Sequence, residues 1–314
     1  MNKTLLVGAG NMAKHYAPIL DALHVDYEVV CQSTSTAETF FEKTGHSCQA
    51  GGLENLLQNT AKPYSKAIVA VGVEYLFGAC VALMEHGTQI ILVEKPGGLT
   101  VPEIVALGEK AKKYSANLYI AYNRRFYASV LKAKQMIEED GGALSGNFEF
   151  TEWSHVIAPL EKAPGVKENW FLANSTHVVD LAFYLLGKPI SMSTYAGDAV
   201  EWHTPAIFAG AGLTDQGAFF TYRANWKSPG RWGVEVLTAK RKLVLQPMEK
   251  LQEQLHGTVA IVDVTIEDSL DLQYKHGLFL QTSAFIHGDF EILKSLDEQL
   301  KDVLIFDKML KTSA

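Results

Sequence analysis

The opening of the chain, Thr4-Leu5-Leu6-Val7-Gly8-Ala9-Gly10-Asn11-Met12-Ala13, carries a short apolar strand into a helix through two glycines. Gly8 permits a tight turn out of the strand. Gly10 keeps side-chain atoms away from anything approaching the backbone, and the start of the next helix offers unpaired N–H groups and positive dipole. With Ala13 in third place the pattern reads G-x-G-x-x-A, the loop that grips a dinucleotide pyrophosphate when it joins a strand to a helix.

The chain keeps the same strand-and-helix rhythm to about Tyr122. Strands are predicted at Thr4–Val7, Tyr27–Cys31, Lys66–Val71, Gln89–Val93 and Leu118–Ala121. Helices are predicted at Met12–Leu23, Thr36–Lys43, Tyr75–His86 and Val101–Tyr114, the last opened by Thr100 as cap and Pro102 in its first turn. Alternation of this kind specifies an α/β fold, a doubly wound parallel sheet of the Rossmann type.

After Arg125 the texture changes. A helix, Tyr127–Glu139, and a strand, Asn147–Trp153, lead into strand candidates at Ser191–Ala196, Ala206–Ala211, Ala218–Ala224, Trp232–Thr238 and Lys242–Gln246. These predict a C-terminal α+β domain built on a large, mainly antiparallel sheet, whose open face would suit a homodimer or higher homo-oligomer. With 314 residues, too many for one ordinary core, the expected division is 1–122 for the dinucleotide domain and 123–314 for substrate binding and oligomerisation. The final stretch, Phe290–Met309, reads as one or two amphipathic helices that pack back on the first domain. A second G-x-G, Gly210-Ala211-Gly212, lies inside a strand pattern and is read as packing.

Composition removes several functions. Against 35 acidic residues stand 28 basic ones, a net charge of −7, and no basic run exceeds Lys240-Arg241-Lys242. Neither a nucleic-acid partner nor an anionic membrane fits that balance. The apolar stretch from Ala67 to Met84 is interrupted by Glu74 and two glycines and reads as strand, loop and helix. Three cysteines, Cys31, Cys48 and Cys80, form an odd set without metal-ligand spacing, as expected of reduced thiols in a cytoplasmic protein. The first residues show no basic segment and apolar run of the export type. Histidines are not paired at ligand spacing and no G-x-S-x-G occurs, so no metal and no serine nucleophile is expected.

Cofactor choice turns on the end of the second predicted strand. A carboxylate there would accept hydrogen bonds from the adenosine ribose. Instead the chain reads Cys31-Gln32-Ser33-Thr34-Ser35-Thr36, whose hydroxyls suit a 2′-phosphate, although no arginine accompanies them. NAD(P) is the expected cofactor, with NADP favoured over NAD. Contacts are expected from Gly8, Gly10, Asn11, Met12, Ala13, Gln32, Ser33, Thr34, Val71, Gly72, Glu94, Lys95, Pro96 and Asn123.

A further motif lies where the fourth long strand ends, Val93-Glu94-Lys95-Pro96-Gly97-Gly98. Together with the glycine turn, Tyr122-Asn123-Arg124-Arg125-Phe126 and the helix His177-Val178-Val179-Asp180, it makes the chain resemble the Gfo/Idh/MocA oxidoreductases, relatives of glucose-fructose oxidoreductase and inositol dehydrogenase. The resemblance implies hydride transfer between nicotinamide and a secondary alcohol or ketone carbon of a cyclic polyol, sugar or modified sugar, nucleotide-linked and acidic sugars included. Two other readings stay open: an NAD-redox glycosidase of the same family, and a non-catalytic NAD(P)-binding regulator.

Lys95 also stands on physical grounds. Alternation turns Glu94 and Lys95 to opposite faces, and Pro96 stiffens the turn at the sheet edge where cofactor and substrate meet. A cation there binds a substrate oxygen and stabilises its developing charge, or sheds its proton when desolvated. His177 is the second acid/base candidate. Asn174 or Ser175 is read as its helix cap, which would place the ring in the first turn, where the dipole disfavours imidazolium. Asp180, three residues on, either orients that ring or pairs with another group. The inositol dehydrogenases carry an aspartate four residues before this histidine, and Ala173 stands there instead. Either Lys95 and His177 suffice, or Asp180 or a distant carboxylate such as Glu168 helps, or ordinary turnover is lost.

The substrate contacts expected are Lys95, Asn123, Trp153, His155, Asn174 and His177. If Thr151–His155 is a strand, Trp153 and His155 share a face opposite Glu152 and Ser154, and an aromatic surface beside polar groups suits a sugar ring. Trp170, Trp202, His203, Arg223, Trp226 and Arg231 add similar groups, roughly half of the tryptophans being expected in the core or an interface. Of Arg124 and Arg125, on opposite sides of a continued strand, at most one is expected to reach ligand.

Overall fold

The computed structural model describes residues 3–311. Two compact units emerge: the chain up to Tyr122 together with Leu278–Lys301, and Asn123–Gly277 together with the chain from Asp302.

In the first unit, β1 (Thr4–Val7), β2 (Tyr27–Val30), β3 (Lys66–Val69), β4 (Ile90–Glu94) and β5 (Asn117–Ala121) pair in parallel in the order β5-β4-β3-β1-β2. Strands so short and apolar are buried on both faces, as the fully buried β1 shows. Crossovers are supplied by α1 (Asn11–Ala22), α2 (Thr34–Thr44), α3 (Leu53–Gln58), α4 (Leu76–Glu85) and α5 (Val101–Tyr114). Thr100 caps α5 by accepting the Glu103 amide at 3.4 Å, while Glu103 Oε2 accepts the Leu99 amide at 2.6 Å, a reciprocal arrangement that fixes where the helix starts.

The stretch read as wholly helical, Phe290–Met309, contains a two-residue strand, Lys294–Ser295, that pairs antiparallel with β5 and closes that edge of the sheet. Two residues carry no periodicity, so only the free edge of β5 explains them. Lys66 Nζ donates to the carbonyls of Phe285 (2.9 Å) and Ile286 (2.6 Å), at the C-terminal end of the helix Leu278–His287 where a cation is favoured.

After the helix α6 (Ala128–Glu139), the second unit is built on β6 (Ser145–Glu149), β7 (Pro189–Gly197), β8 (Ile207–Thr214), β9 (Phe219–Asn225), β10 (Gly233–Leu237), β11 (Arg241–Leu245), β12 (Gln252–Leu255) and β13 (Val262–Asp263). Their order is β13-β12-β11-β10-β6-β9-β8-β7, antiparallel throughout except for β6 beside β9. Phe148, Phe208, Phe220 and Tyr222 line the buried face, and the helix α8 (Thr176–Leu186) packs there through Phe183, whose ring meets Phe148 and Phe220 edge-on. Every residue of α8 except Tyr184 is buried, as its nearly unbroken apolar sequence requires. Rings of Tyr222 and Phe220 occupy the space that a Cβ at Gly210 and Gly212 would need, so the second G-x-G serves packing. The other face of the sheet leaves Tyr195 and Phe219 exposed.

Three predicted elements differ. The strand expected to reach Trp153 stops at Glu149, and Trp153 precedes the short helix α7 (Ser154–Ile157), so Trp153 and His155 are not alternate residues of a strand. Asn123–Phe126 is a 3₁₀ turn rather than continued strand, which cancels the opposite-faces argument for Arg124 and Arg125. The cap expected before His177 is also absent. A π-helical turn, Phe171–Ser175, runs straight into α8, Ser175 has helical backbone angles, and its hydroxyl is used elsewhere. His177 therefore does not face free helix-terminal amides, and the dipole argument for a neutral ring lapses.

Gly8 has φ +109°, and a Cβ there would collide with the Ala70 carbonyl oxygen. Gly8→Ala is expected to cost about 1–3 kcal/mol in chemical denaturation and to displace the β1–α1 turn, which loss of coenzyme binding would report.

Candidate functional site

One group of candidate residues lies along the carboxyl edge of the parallel sheet. Gly8 leaves β1 there, Gly10 starts α1, and a Cβ added at Gly10 would meet nothing within 4 Å. No side chain caps α1, so its first amides are not claimed by a side-chain acceptor. An open glycine before a twelve-residue helix fits a diphosphate. Ala13 is buried against the sheet, Asn11 is exposed and Met12 is half-buried. Next along the edge, Val71 and Gly72 follow β3, with the Glu74 carboxylate where a Gly72 Cβ would stand. β1 separates β3 from β2, the point at which strand order reverses.

At the end of β2, Gln32 packs beneath Gly52, and Ser33 is the N-cap of α2. Ser33 Oγ accepts the Thr36 amide at 3.3 Å and lies 2.8 Å from Thr36 Oγ1. The Ser33 hydroxyl is thus engaged in capping, and Thr34 is the first helical residue.

Glu94 closes β4 and accepts the Tyr16 hydroxyl at 2.9 Å. Half-buried Lys95 comes next, and its peptide bond to Pro96 is cis. The turn has a support that sequence reading missed: Gln299, fully buried, donates Nε2 to the Pro96 carbonyl at 3.0 Å and to the Tyr122 hydroxyl at 3.4 Å. No local pattern links residues 203 positions apart.

A separate group of candidate residues lies in the other unit around the π turn before α8, a helix irregularity common at functional sites. Asn123 is buried and donates Nδ2 to the His276 carbonyl at 2.9 Å. Arg125 clasps Asp180 with two parallel bonds, Nε to Oδ2 at 2.8 Å and Nη2 to Oδ1 at 2.7 Å, both side chains buried. Asp180 thus pairs with Arg125, one of the roles expected for it. His177 is buried, with its ring 6.3 Å from that of Trp232.

A carboxylate does meet the residues just after position 173, and it is Glu152. Ser175 Oγ donates to it at 2.7 Å and Asn174 Nδ2 at 3.1 Å and 3.3 Å. Burial pushes its pKa up, against the opposing pull of those hydrogen bonds. Sequence alternation assigns Glu152 to the face away from Trp153; the break after β6 turns it inward instead. Glu168 acts electrostatically on His203, whose pKa burial lowers. Trp202 stacks on Trp226 at 5.4 Å, with His203 and half-buried Trp170 packed against that pair, so Trp202, His203 and Trp226 belong to the core. Trp153 is 45% exposed, donates Nε1 to the Gly230 carbonyl at 2.8 Å, and has His155 stacked at 6.2 Å. Arg223 pairs with Glu149 on the open face of the sheet.

Among the described residues, no cluster of histidine, cysteine and carboxylate groups could hold a metal ion, and no helix is long and apolar enough to cross a membrane.

Residues 2–122 match the family model for oxidoreductases of the Gfo/Idh/MocA group with an NAD-binding Rossmann fold. The chain carries the dinucleotide domain of that family. Its whole fold is shared with solved structures. A levoglucosan dehydrogenase in complex with NADH and levoglucosan is similar at 18% identity, covering 98% of this chain and 95% of that one, with a TM-score of 0.76. A putative NADPH-dependent oxidoreductase from Desulfitobacterium hafniense is 16% identical over 97% of this chain and 93% of that one, TM-score 0.76. UDP-N-acetylglucosamine 3-dehydrogenase GnnA from Acidithiobacillus ferrooxidans is 14% identical over 98% and 96%, TM-score 0.72. No match was found among curated proteins.

Because folding raises the Glu152 pKa, the folded chain holds this proton to higher pH than the unfolded chain does. Below the ordinary glutamate value of 4.5 the group costs nothing; as pH rises through the interval up to its folded value, stability is lost. Glu152→Gln is expected to remove that part of the pH dependence, read as the difference between wild-type and variant urea midpoints from acid to neutral pH.

Proposed function

We propose that the protein is an NAD(P)-dependent oxidoreductase acting on a secondary alcohol or ketone carbon of a sugar or cyclic polyol. The observation that carries this reading is the common edge of one parallel sheet on which the Gly8–Gly10 turn and Lys95 both lie. Gly8, Gly10 and the first turn of α1 would hold the coenzyme diphosphate, with Val71, Gly72, Glu94 and Pro96 along the same edge. The bound nicotinamide supplies or accepts hydride at C4.

Lys95 binds the oxygen of the reacting carbon and stabilises its charge as the C–O bond order changes. His177 is the partner that takes or returns the hydroxyl proton, and Asn174, its amide steadied by Glu152, presents its carbonyl side to a sugar hydroxyl. Asn123, Trp153 and His155 complete the proposed contacts, Trp153 offering an exposed ring to the C–H face of a sugar. Levoglucosan dehydrogenase and UDP-N-acetylglucosamine 3-dehydrogenase, whose names record sugar substrates, support this substrate class through their shared fold.

NADP is the preferred coenzyme in this reading. The end of β2 lacks a carboxylate that would repel a 2′-phosphate, and α2 begins there among the hydroxyls of Ser33, Thr34, Ser35 and Thr36. The neighbours divide, one named as NADPH-dependent and one bound to NADH. The exposed Tyr195 and Phe219 on the sheet supply the proposed self-association surface.

Fluorescence titration with NADPH and NADH is expected to show tighter NADPH binding. Absorbance-monitored turnover on a panel of sugars and polyols then tests the reaction. Lys95→Ala should lower kcat by about 10²-fold or more with coenzyme affinity nearly unchanged. Equal losses in both would remove Lys95 from the chemistry. The departure at Ala173 favours one rival, a coenzyme-binding regulator, which tight NAD(P)H binding without turnover would establish.

A further inference from the structure

Of two adjacent arginines, one is fully occupied and the other is not. Arg125 spends its fork on Asp180. Arg124 is half-buried, its Nε lies out of reach of water with no hydrogen-bond partner, and among the described residues no carboxylate forms an ion pair with it. Its guanidinium packs on the Trp232 ring, 4.8 Å from Cζ to the centroid, and 5.9 Å from that of Tyr127. A second cation, Arg231, lies over the same indole at 5.2 Å and over Trp153 at 4.5 Å.

The nearby acids do not cancel this charge. Glu152 and Glu249 attract Arg124 through space while Arg231 repels it, and burial works against the charged form. Glu152 is committed to Ser175 and Asn174. A guanidinium cannot escape by losing its proton, so a desolvated, unpaired one is a standing demand for an anion. Two guanidinium groups around one indole, Arg124 half-buried and Arg231 exposed, with donors left over, have the geometry that accepts the paired oxygens of a carboxylate or phosphate.

We propose that Arg124 and Arg231, arrayed about Trp232, form an anion subsite that receives the carboxylate or phosphate of an acidic sugar substrate. This rests on the sugar oxidoreductase reading and narrows its substrate class. Trp153 and Trp232 then present aromatic surface to the sugar while the two guanidinium groups select its charge, and neutral sugars bind weakly because they leave Arg124 unsatisfied.

The test is calorimetric titration of the full chain with glucuronate, UDP-glucose and glucose, each with and without NADPH. At least one anionic probe is expected to bind about tenfold or more tightly than glucose, with an advantage that shrinks as salt rises. Preference for glucuronate identifies a sugar carboxylate, and preference for UDP-glucose a diphosphate. Arg124→Gln should abolish most of the preference, Arg124→Lys should keep a part, and Arg231→Gln should reduce it. Equal binding of all three probes overturns the proposal, as does a folded Arg124→Gln that keeps the preference. Should Arg124→Gln fail to fold, Arg231→Gln decides, a retained preference counting against the subsite. Titrations without coenzyme separate this result from the oxidoreductase reading: loss of NAD(P)H binding or turnover defeats that reading, while loss of charge preference alone defeats the subsite.

Discussion

The bidentate Arg125–Asp180 pair is the anchor of the second unit's functional region. It joins the 3₁₀ turn Asn123–Phe126 to the middle of α8, and both partners are buried, so neither can swing out without leaving the other charge stranded. Breaking such a pair costs about 3–5 kcal/mol, several times the worth of an exposed one. With Arg125 fixed in this way, its neighbour Arg124 is set against Trp232, and α8 presents His177 and, through the preceding π turn, Asn174 and Ser175. A buried ion pair thereby fixes where these groups stand.

The carboxylate at Glu152 obeys the same logic. Position 173 holds alanine, and a small buried side chain there leaves the π turn free to offer Asn174 and Ser175 to an acid arriving from another segment. Glu152 satisfies two donors and is held nearly out of water, which favours its protonated form. This acid comes from the segment just after β6, and its hydrogen-bond partners are the two residues after position 173.

Much of the first unit was legible because its signals are local. Glycines at Gly8 and Gly10, the apolar runs of β1 to β5 and the Thr100 cap each act within a few residues, and the predicted α5 agrees at both ends with Val101–Tyr114. The large, mainly antiparallel sheet was legible as a class from its alternating strands. What escaped was long-range or aperiodic: the Lys294–Ser295 strand that owes its existence to the edge of β5, the Gln299 brace under Pro96, and the stop at Glu149 that reversed the inferred faces of Glu152 and Trp153. His177 was found by motif, yet its local setting was misread, because a π turn looks in sequence like the start of a helix.

Local chemistry along the chain was therefore enough to establish a dinucleotide domain and the glycine turn between β1 and α1, since turn geometry and strand burial are written in neighbouring residues. Which charges are spent and which remain available is a property of the folded molecule. Arg124 and Arg125 are chemically identical in sequence. Only packing, by burying one guanidinium against a carboxylate and the other against an indole, separates the structural charge from the one left to meet a ligand.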